Sequence, residues 1–376
     1  MRILHVIDEL KLGGAGTHLA TMVEHTTRHF PEIQHRTLSL FEGGTLGARL
    51  ERAGCSVGGV DVRRDVLCHR YGRAVGALER EVAAFCPDVV EAHLTWSRFL
   101  ALRAASRQGV PVRIGYEQGD IYMRSPRIRA ANFVLQLDAQ RIVVCSSALR
   151  RWAHRTHGIA WERLVVMHNS IDTARFTAAG PKRSERFGFS PSTVVFVAVG
   201  TLGTGVNKRV DVCIDAILRC CAVGHDVGLV VCGDGPQRAE LEARVARSAT
   251  PHAVVFLGAR EDVPEILACC DAFCHAAPFE PFGIVCVEAM AAGLPVVVPD
   301  GGGIHEAVED GVTGFVYRAL DVADMADKVA RLAADQQLRG NMGAAGKALA
   351  VRRFDIADYM SRLLGMYGSL LASRAA

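Results

Sequence analysis

Ala272-Phe-Cys-His-Ala-Ala-Pro-Phe-Glu280-Pro-Phe-Gly-Ile-Val-Cys-Val-Glu288-Ala-Met-Ala-Ala-Gly-Leu-Pro-Val-Val-Val298 contains one turn of the rhythm that runs through the whole chain. Residues 272–274 read as a short apolar strand. A loop with one carboxylate follows, then a helix over 283–292 that opens at a glycine and carries a second carboxylate. The run 296–298 reads as another apolar strand. Strand, helix and strand in that order, with no polar face on either strand, predict a parallel crossover buried on both sides.

The alternation continues outward. In the second half, further strands are predicted at 194–199, 227–231 and 254–257, with helices at 210–222, 237–248, 263–269 and 322–335. In the first half, strands at 3–7, 34–40, 89–92, 112–115, 142–145 and 164–167 alternate with helices such as 16–29, 70–85 and 96–108. This predicts an α/β protein with parallel sheets covered on both faces. Residues 176–192 interrupt the rhythm with Gly180, Pro181, Gly188 and Pro191, just before a new buried strand. Two Rossmann-like domains are expected, 1–178 and 179–355, with a cleft between them and ligands at the carboxyl ends of the strands. A length of 376 residues agrees with two domains.

Composition narrows the function. Half of the residues are hydrophobic, so each domain has a full core. The formal net charge of +3 is small and does not argue for nucleic acid, and no nucleic-acid partner is expected. Of 43 basic residues, 38 are Arg and 5 are Lys, which reads as coding bias. Residues 98–186 carry 16 Arg or Lys against 6 Asp or Glu, and Ala148-Leu-Arg-Arg-Trp-Ala-His-Arg-Thr-His157 is a basic helix with one Trp. Peripheral contact with an anionic membrane or a phosphorylated acceptor is open to such a helix, but a solvated face is the simpler reading. The start, Met1 to Asp8, is too short for a signal peptide, and no apolar run reaches the ~20 residues of a spanning helix. The 12 cysteines include no C-x-x-C pair, so reduced thiols and a cytoplasmic setting are expected.

The chemistry lies in a few residues. A carboxylate accepts hydrogen bonds from a vicinal diol, and open N–H groups at a helix start hold phosphate. A sugar joined to a nucleoside diphosphate has both features. Glu280 and Glu288 suit such a ligand, with the N–H groups of Gly283, Ile284 and Val285 at the helix start. The alternative makes Glu280 a turn residue and Glu288 a surface acid complementing the helix dipole. Gly200-Thr-Leu-Gly-Thr-Gly-Val-Asn-Lys208-Arg209 follows strand 194–199. Its glycines permit close backbone approach, and its cations suit a diphosphate, unless it is a solvated basic loop. Gly13-Gly14-Ala-Gly16-Thr17-His18 follows the first strand without the spacing of a dinucleotide fingerprint. Pro87-Asp-Val-Val-Glu-Ala-His93 ends a strand in a histidine, for which a packed core residue is the alternative.

The Glu280–Glu288 segment resembles the E-x7-E signature of the retaining family 4 glycosyltransferases. Asp300-Gly-Gly-Gly-Ile-His-Glu306 and Asp310-Gly-Val-Thr-Gly-Phe315 resemble that family's G-G-x-x-E and D-G-x-x-G pair. Gly13-Gly14, Pro87 to His93, Asn169 to Phe176, Gly200 to Lys208 and Gly233-Asp-Gly-Pro236 keep the family's order. The resemblance implies the GT-B fold, with two Rossmann-like domains facing each other across a cleft. Donor in the second domain, acceptor in the first, and a last helix within 356–376 crossing back to the first are implied with it. It also implies that Glu280 binds donor-sugar hydroxyls, Glu288 binds the ribose diol and His93 lies near the reacting centre. Lys208 and Arg209 would meet the diphosphate, with Gly283, Ile284 and Gly14 close to it. Leu257 and Gly258 would frame the nucleobase, and Thr17, His18, Glu117, Gln118 and Asp120 would line the acceptor side.

Three residues depart from the family. Pro281 stands where Gly is usual and removes one N–H. Thr201 stands where an arginine is expected, and Arg209, at a Gly position, is the candidate replacement. The implied activity is hexosyl or N-acetylhexosaminyl transfer with retention, from a UDP-sugar in preference to a GDP-sugar. The acceptor is a hydroxyl of a glycan, a lipid-linked glycan or a specialised metabolite. No D-x-D cluster stands out, so no metal or other cofactor is expected. A UDP-sugar 2-epimerase of similar fold and a non-enzymatic nucleotide-sugar-binding protein remain open.

Overall fold

The computed structural model describes residues 1–11, 13–41, 44–118, 137–177, 182–203 and 208–375. The chain divides into two compact units, Met1–Ser170 with Ile356–Ala376, and Ile171–Asp355. The division precedes the 178/179 boundary expected from sequence. Ile171 N donates to Phe354 O at 2.9 Å, and Thr173 Oγ1 donates to the Asp355 carboxylate. The outgoing segment is thus tied to the end of the second unit before the Gly- and Pro-rich stretch begins.

The first unit contains β1 (Arg2–Ile7), β2 (Gln34–Ser39), β3 (Ser56–Gly59), β4 (Val89–His93), β5 (Val112–Glu117), β6 (Arg141–Val144) and β7 (Leu164–Val166). They form one parallel sheet in the order β3-β2-β1-β4-β5-β6-β7. The order reverses between β1 and β4, which makes a topological switch point at their carboxyl ends. Asp8, just past β1, caps the helix Thr95–Arg107 that leaves β4. Its Oδ1 accepts from Ser97 N at 2.7 Å and its Oδ2 from Trp96 N at 3.2 Å. The helix Ile356–Ala375 buries Tyr359, Met360, Leu363 and Tyr367 against Ile3, Val89, Val112 and Ile114. Each such side chain contributes about 1.5–3 kcal/mol by burial.

The second unit contains β8 (Val194–Val199), β9 (Val227–Cys232), β10 (Val254–Gly258), β11 (Ala272–Cys274), β12 (Val296–Pro299) and β13 (Gly314–Tyr317). Their order is β10-β9-β8-β11-β12-β13, parallel throughout. The switch point falls between β8 and β11. Every residue of β9 is buried, as the continuous apolar run requires. Asp321 and Asp335 cap the helices Val322–Ala334 and Gln336–Phe354.

Most predicted elements are present with ends shifted by one to three residues. β3, β13 and the helix Gln336–Phe354 are additions. β3 reads Ser-Val-Gly-Gly and has no apolar run, β13 starts at the last glycine of the D-G-x-x-G turn, and three glycines break the apolar stripe of the helix. Cys269, Cys270 and Cys274 are buried free thiols. Among the described residues, no helix is long and apolar enough to cross a membrane.

Candidate active site

The second unit's switch point gathers the residues that the sequence singled out. β8 delivers Gly200 and, beyond residues 204–207 outside the described set, Lys208. β11 delivers His275 and then the loop to Glu280. Lys208 Nζ donates to Glu280 Oε2 at 2.5 Å, and His275 Nε2 lies 3.1 Å from the same oxygen. Glu280 is only 9% exposed. Burial pushes its carboxyl up, but the Lys208 charge and the His275 hydrogen bond outweigh this and hold it at about 2. Burial lowers His275 below the ordinary histidine value, so its imidazole is neutral at pH 7.

The loop is fixed from behind by Asp300-Gly-Gly-Gly303. Gly303 N donates to Glu280 O at 2.6 Å, and Gly302 pairs with Glu280 in a parallel bridge. Gly302 has φ +77°, and a Cβ there would lie 2.2 Å from Glu280 O. Only glycine fits, for backbone and steric reasons together. Gly283 also adopts left-handed φ, +79°, at the start of helix Ile284–Ala291, and a Cβ would meet Ile304 at 2.8 Å. The first N–H groups of that helix have no intrahelical partners. Glu288 is half-buried one turn on.

Arg209, the residue after Lys208, has a different partner. Its Nε and Nη2 grip Asp211 at 2.9 and 2.8 Å, an acid that sequence reading passed over. It also holds φ +46°, which explains why glycine suits this position in related loops. The guanidinium fork is therefore already paired, against the expectation that it replaces an arginine at Thr201. Gly258 ends β10, beside Leu257, where the register shifts. Its carbonyl accepts from Gly233 N at 2.8 Å, which aligns these turns along the carboxyl edge. Asp234 bonds Arg238 and Gly235 N and is a turn residue.

In the first unit, Gly14 opens the helix Gly14–His29 and is exposed, and Thr17 is half-buried on it. The other expected residues turn inward. His93 is fully buried, stacked on Tyr116, with Nε2 3.3 Å from Glu91 Oε2. His5 Nδ1 reaches the same oxygen at 2.8 Å, and Tyr367 donates to Oε1. Burial pushes the Glu91 carboxyl up, yet its histidine partners hold it well below the ordinary range. His18 is buried against Tyr359 and Ser170. Glu117 is buried in an ion pair with Arg98 at 2.7 Å and lies 3.2 Å from His157 Nδ1. His18 and Glu117, expected on the acceptor side, and His93, expected near the reacting centre, are therefore buried side chains, and Nδ1 of each of the two histidines has no hydrogen-bond partner among the described residues. Gln118 is half-buried at the end of β5, and Asp120 lies outside the described residues.

His5, Glu91 and His93 also form a cluster of three potential metal-ligand atoms within 4.8 Å. Bonds of ~2.0–2.2 Å to a tetrahedral ion place neighbouring ligand atoms about 3.3 Å apart. The 2.8 Å His5–Glu91 separation is that of a hydrogen bond. The cluster reads as a buried polar network.

Two Rossmann-like units with a carboxylate–lysine–histidine cluster at one switch point define a GT-B glycosyltransferase fold. HepE from Anabaena, solved with UDP-glucose, superposes with a TM-score of 0.79 at 23% identity, covering 98% of this chain and 100% of that one. The family model "Glycosyltransferase Family 4" matches residues 12–175, and "Glycosyl transferases group 1" matches residues 182–349. The chain belongs to the family 4 glycosyltransferases. Among curated relatives, the alpha-D-kanosaminyltransferase of Streptomyces kanamyceticus is 28% identical over 57% of this chain and 54% of its own length. The alpha-maltose-1-phosphate synthase of Mycobacterium tuberculosis is 31% identical over 63% and 65%. In these alignments the chain spans about half to two-thirds of its relatives' length.

Proposed function

We propose that this protein is a retaining glycosyltransferase of the cytoplasm that moves a hexosyl or N-acetylhexosaminyl group from a UDP-sugar to an acceptor hydroxyl, without a metal ion. The observation that carries this reading is the Glu280 carboxylate, buried yet ionised by Lys208 and His275, beside the open helix start at Gly283. Glu280 takes sugar hydroxyls, Glu288 takes the ribose diol, and Lys208 with the helix start meets the diphosphate. The acceptor, a glycan, lipid-linked glycan or specialised metabolite, belongs to the first unit.

In the reaction, the bond from the anomeric carbon to the phosphate oxygen breaks, and the acceptor oxygen bonds to that carbon on the same face. The acceptor's proton passes to the departing phosphate oxygen. Lys208 and the helix start stabilise the charge that develops there. HepE's complex with UDP-glucose supports the choice of UDP.

The test incubates the purified protein with UDP- and GDP-sugars and an acceptor panel, followed by mass spectrometry. A glycosylated acceptor with the donor's anomeric configuration is expected. Epimerised sugar formed without acceptor, or binding without transfer to any acceptor, would overturn the reading.

A further inference from the structure

His275 was not legible as a functional residue, and the donor reading gives it no contact with the donor. Its surroundings do. Glu280 Oε2 accepts from both Lys208 Nζ, at 2.5 Å, and His275 Nε2, at 3.1 Å, while Oε1 has no partner among the described residues. The two donors differ in kind. Lys208 reaches in on a long stem, is 30% exposed, and is the cation that the donor reading assigns to the diphosphate. His275 is fixed: its side chain is 3% exposed, its ring stacks on Phe273, and its carbonyl oxygen accepts from Tyr317 Oη at 3.0 Å.

A diphosphate carries more charge than one carboxylate, so a bound donor draws Lys208 away from Glu280. A buried carboxylate that loses its cation takes a proton or turns towards water. We propose that His275 is a positioning residue for Glu280. It holds Oε2 and keeps the carboxylate ionised while Lys208 engages the diphosphate, so that Oε1 stays aimed at the donor sugar's hydroxyls. This inference rests on the donor reading above.

The test measures UDP and UDP-glucose binding by calorimetry in the wild type and in Glu280→Ala, His275→Leu and His275→Gln, with circular dichroism to confirm folding. Glu280→Ala is expected to shift the ratio of the two dissociation constants against UDP-glucose. His275→Leu should shift it the same way by about tenfold, the size of one lost charge-assisted hydrogen bond. His275→Gln, which keeps an N–H donor, should restore most of it. An unchanged ratio in folded His275→Leu overturns the inference, as does a shift that His275→Gln fails to reverse. If Glu280→Ala leaves the ratio unchanged, the donor reading itself falls, and this inference falls with it. A readout without substitution is a long-range proton–nitrogen spectrum of the UDP-bound wild type. His275 should be protonated at Nε2, and the Nδ1 tautomer overturns the inference.

Discussion

Lys208 Nζ and Glu280 Oε2 lie 2.5 Å apart although 72 residues separate them in sequence. Each is the other's counterion here. β8 and β11 are neighbours at the point where the strand order reverses, so their exit loops must meet. A lysine on one loop and a buried carboxylate on the other give a site that already holds balanced charge. A diphosphate sugar would exchange that pairing for contacts of its own.

Lys208→Ala should weaken UDP binding about 10- to 100-fold, as expected for a charge-assisted contact worth ~1.5–3 kcal/mol. Uridine, which lacks phosphate, should bind the variant and the wild type alike. Calorimetry with both ligands checks this. Equal losses for UDP and uridine would mean that the lysine shapes the site without touching phosphate.

Glu288→Gln should weaken UDP and uridine together, by about tenfold or more, because the ribose diol loses a charged acceptor. The motive is its half-buried place one turn into the helix that starts at Gly283. Unaltered uridine affinity would remove Glu288 from the nucleoside site.

Arg209→Ala should leave kcat within about twofold of wild type and cost about 1 kcal/mol of stability, as for an ion pair that still reaches solvent. Its guanidinium is held by Asp211 and its backbone is left-handed. Arg209→Gly should be at least as stable as Arg209→Ala, since glycine pays no penalty at φ +46°. A loss of turnover beyond tenfold would show that the arginine leaves Asp211 for the donor.

Acid should destabilise the fold well above the carboxylate range. Burial depresses His18 and His35 to about 3, from an ordinary 6.5. Between these values the unfolded chain binds protons that the folded chain does not, so stability rises with pH through that window. At full difference each histidine adds a slope of ~1.4 kcal/mol per pH unit. Glu91, held below the ordinary range, adds stability that is lost below about pH 4.3. The urea midpoint should be lower at pH 5 than at pH 7, and the difference should shrink in His35→Gln. Equal midpoints at the two pH values would reject the assignment.

Turnover should persist in EDTA. The leaving diphosphate is expected to be met by Lys208 and the helix start at Gly283. Loss of activity on chelation, restored by magnesium or manganese, would show that a metal does that work.

Local sequence carried much of the site. Strand–helix alternation marked the carboxyl ends of strands, and the glycine at 283 marked a helix start beside two acids. A basic residue at the glycine position 209 was also visible as an oddity, and the left-handed backbone there shows why glycine suits the position. What escaped was every long-range partner. His275 looked like one more residue after an apolar strand. Glu117 and His18 looked available, because nothing local to them announces Arg98, His157, Tyr359 or Ser170.

The sequence by itself determined the α/β class, the approximate place and type of most elements, and the loop that carries Glu280. These follow from periodicity, turn chemistry and helix-start signals, which act over a few residues. Tertiary structure decided the strand order, and with it which loop ends meet. β11 lies beside β8 while β9 and β10 are on the other side, so Lys208 and His275 converge on Glu280. β4 lies beside β1, so Glu91 faces His5, and the returning C-terminal helix brings Tyr367 to the same carboxylate. Hydrophobic patterning tells a strand which faces to bury but not which neighbour to bury them beside. That choice comes from packing the whole sheet, and it turned polar residues at strand ends either into a charged site or into a sealed core.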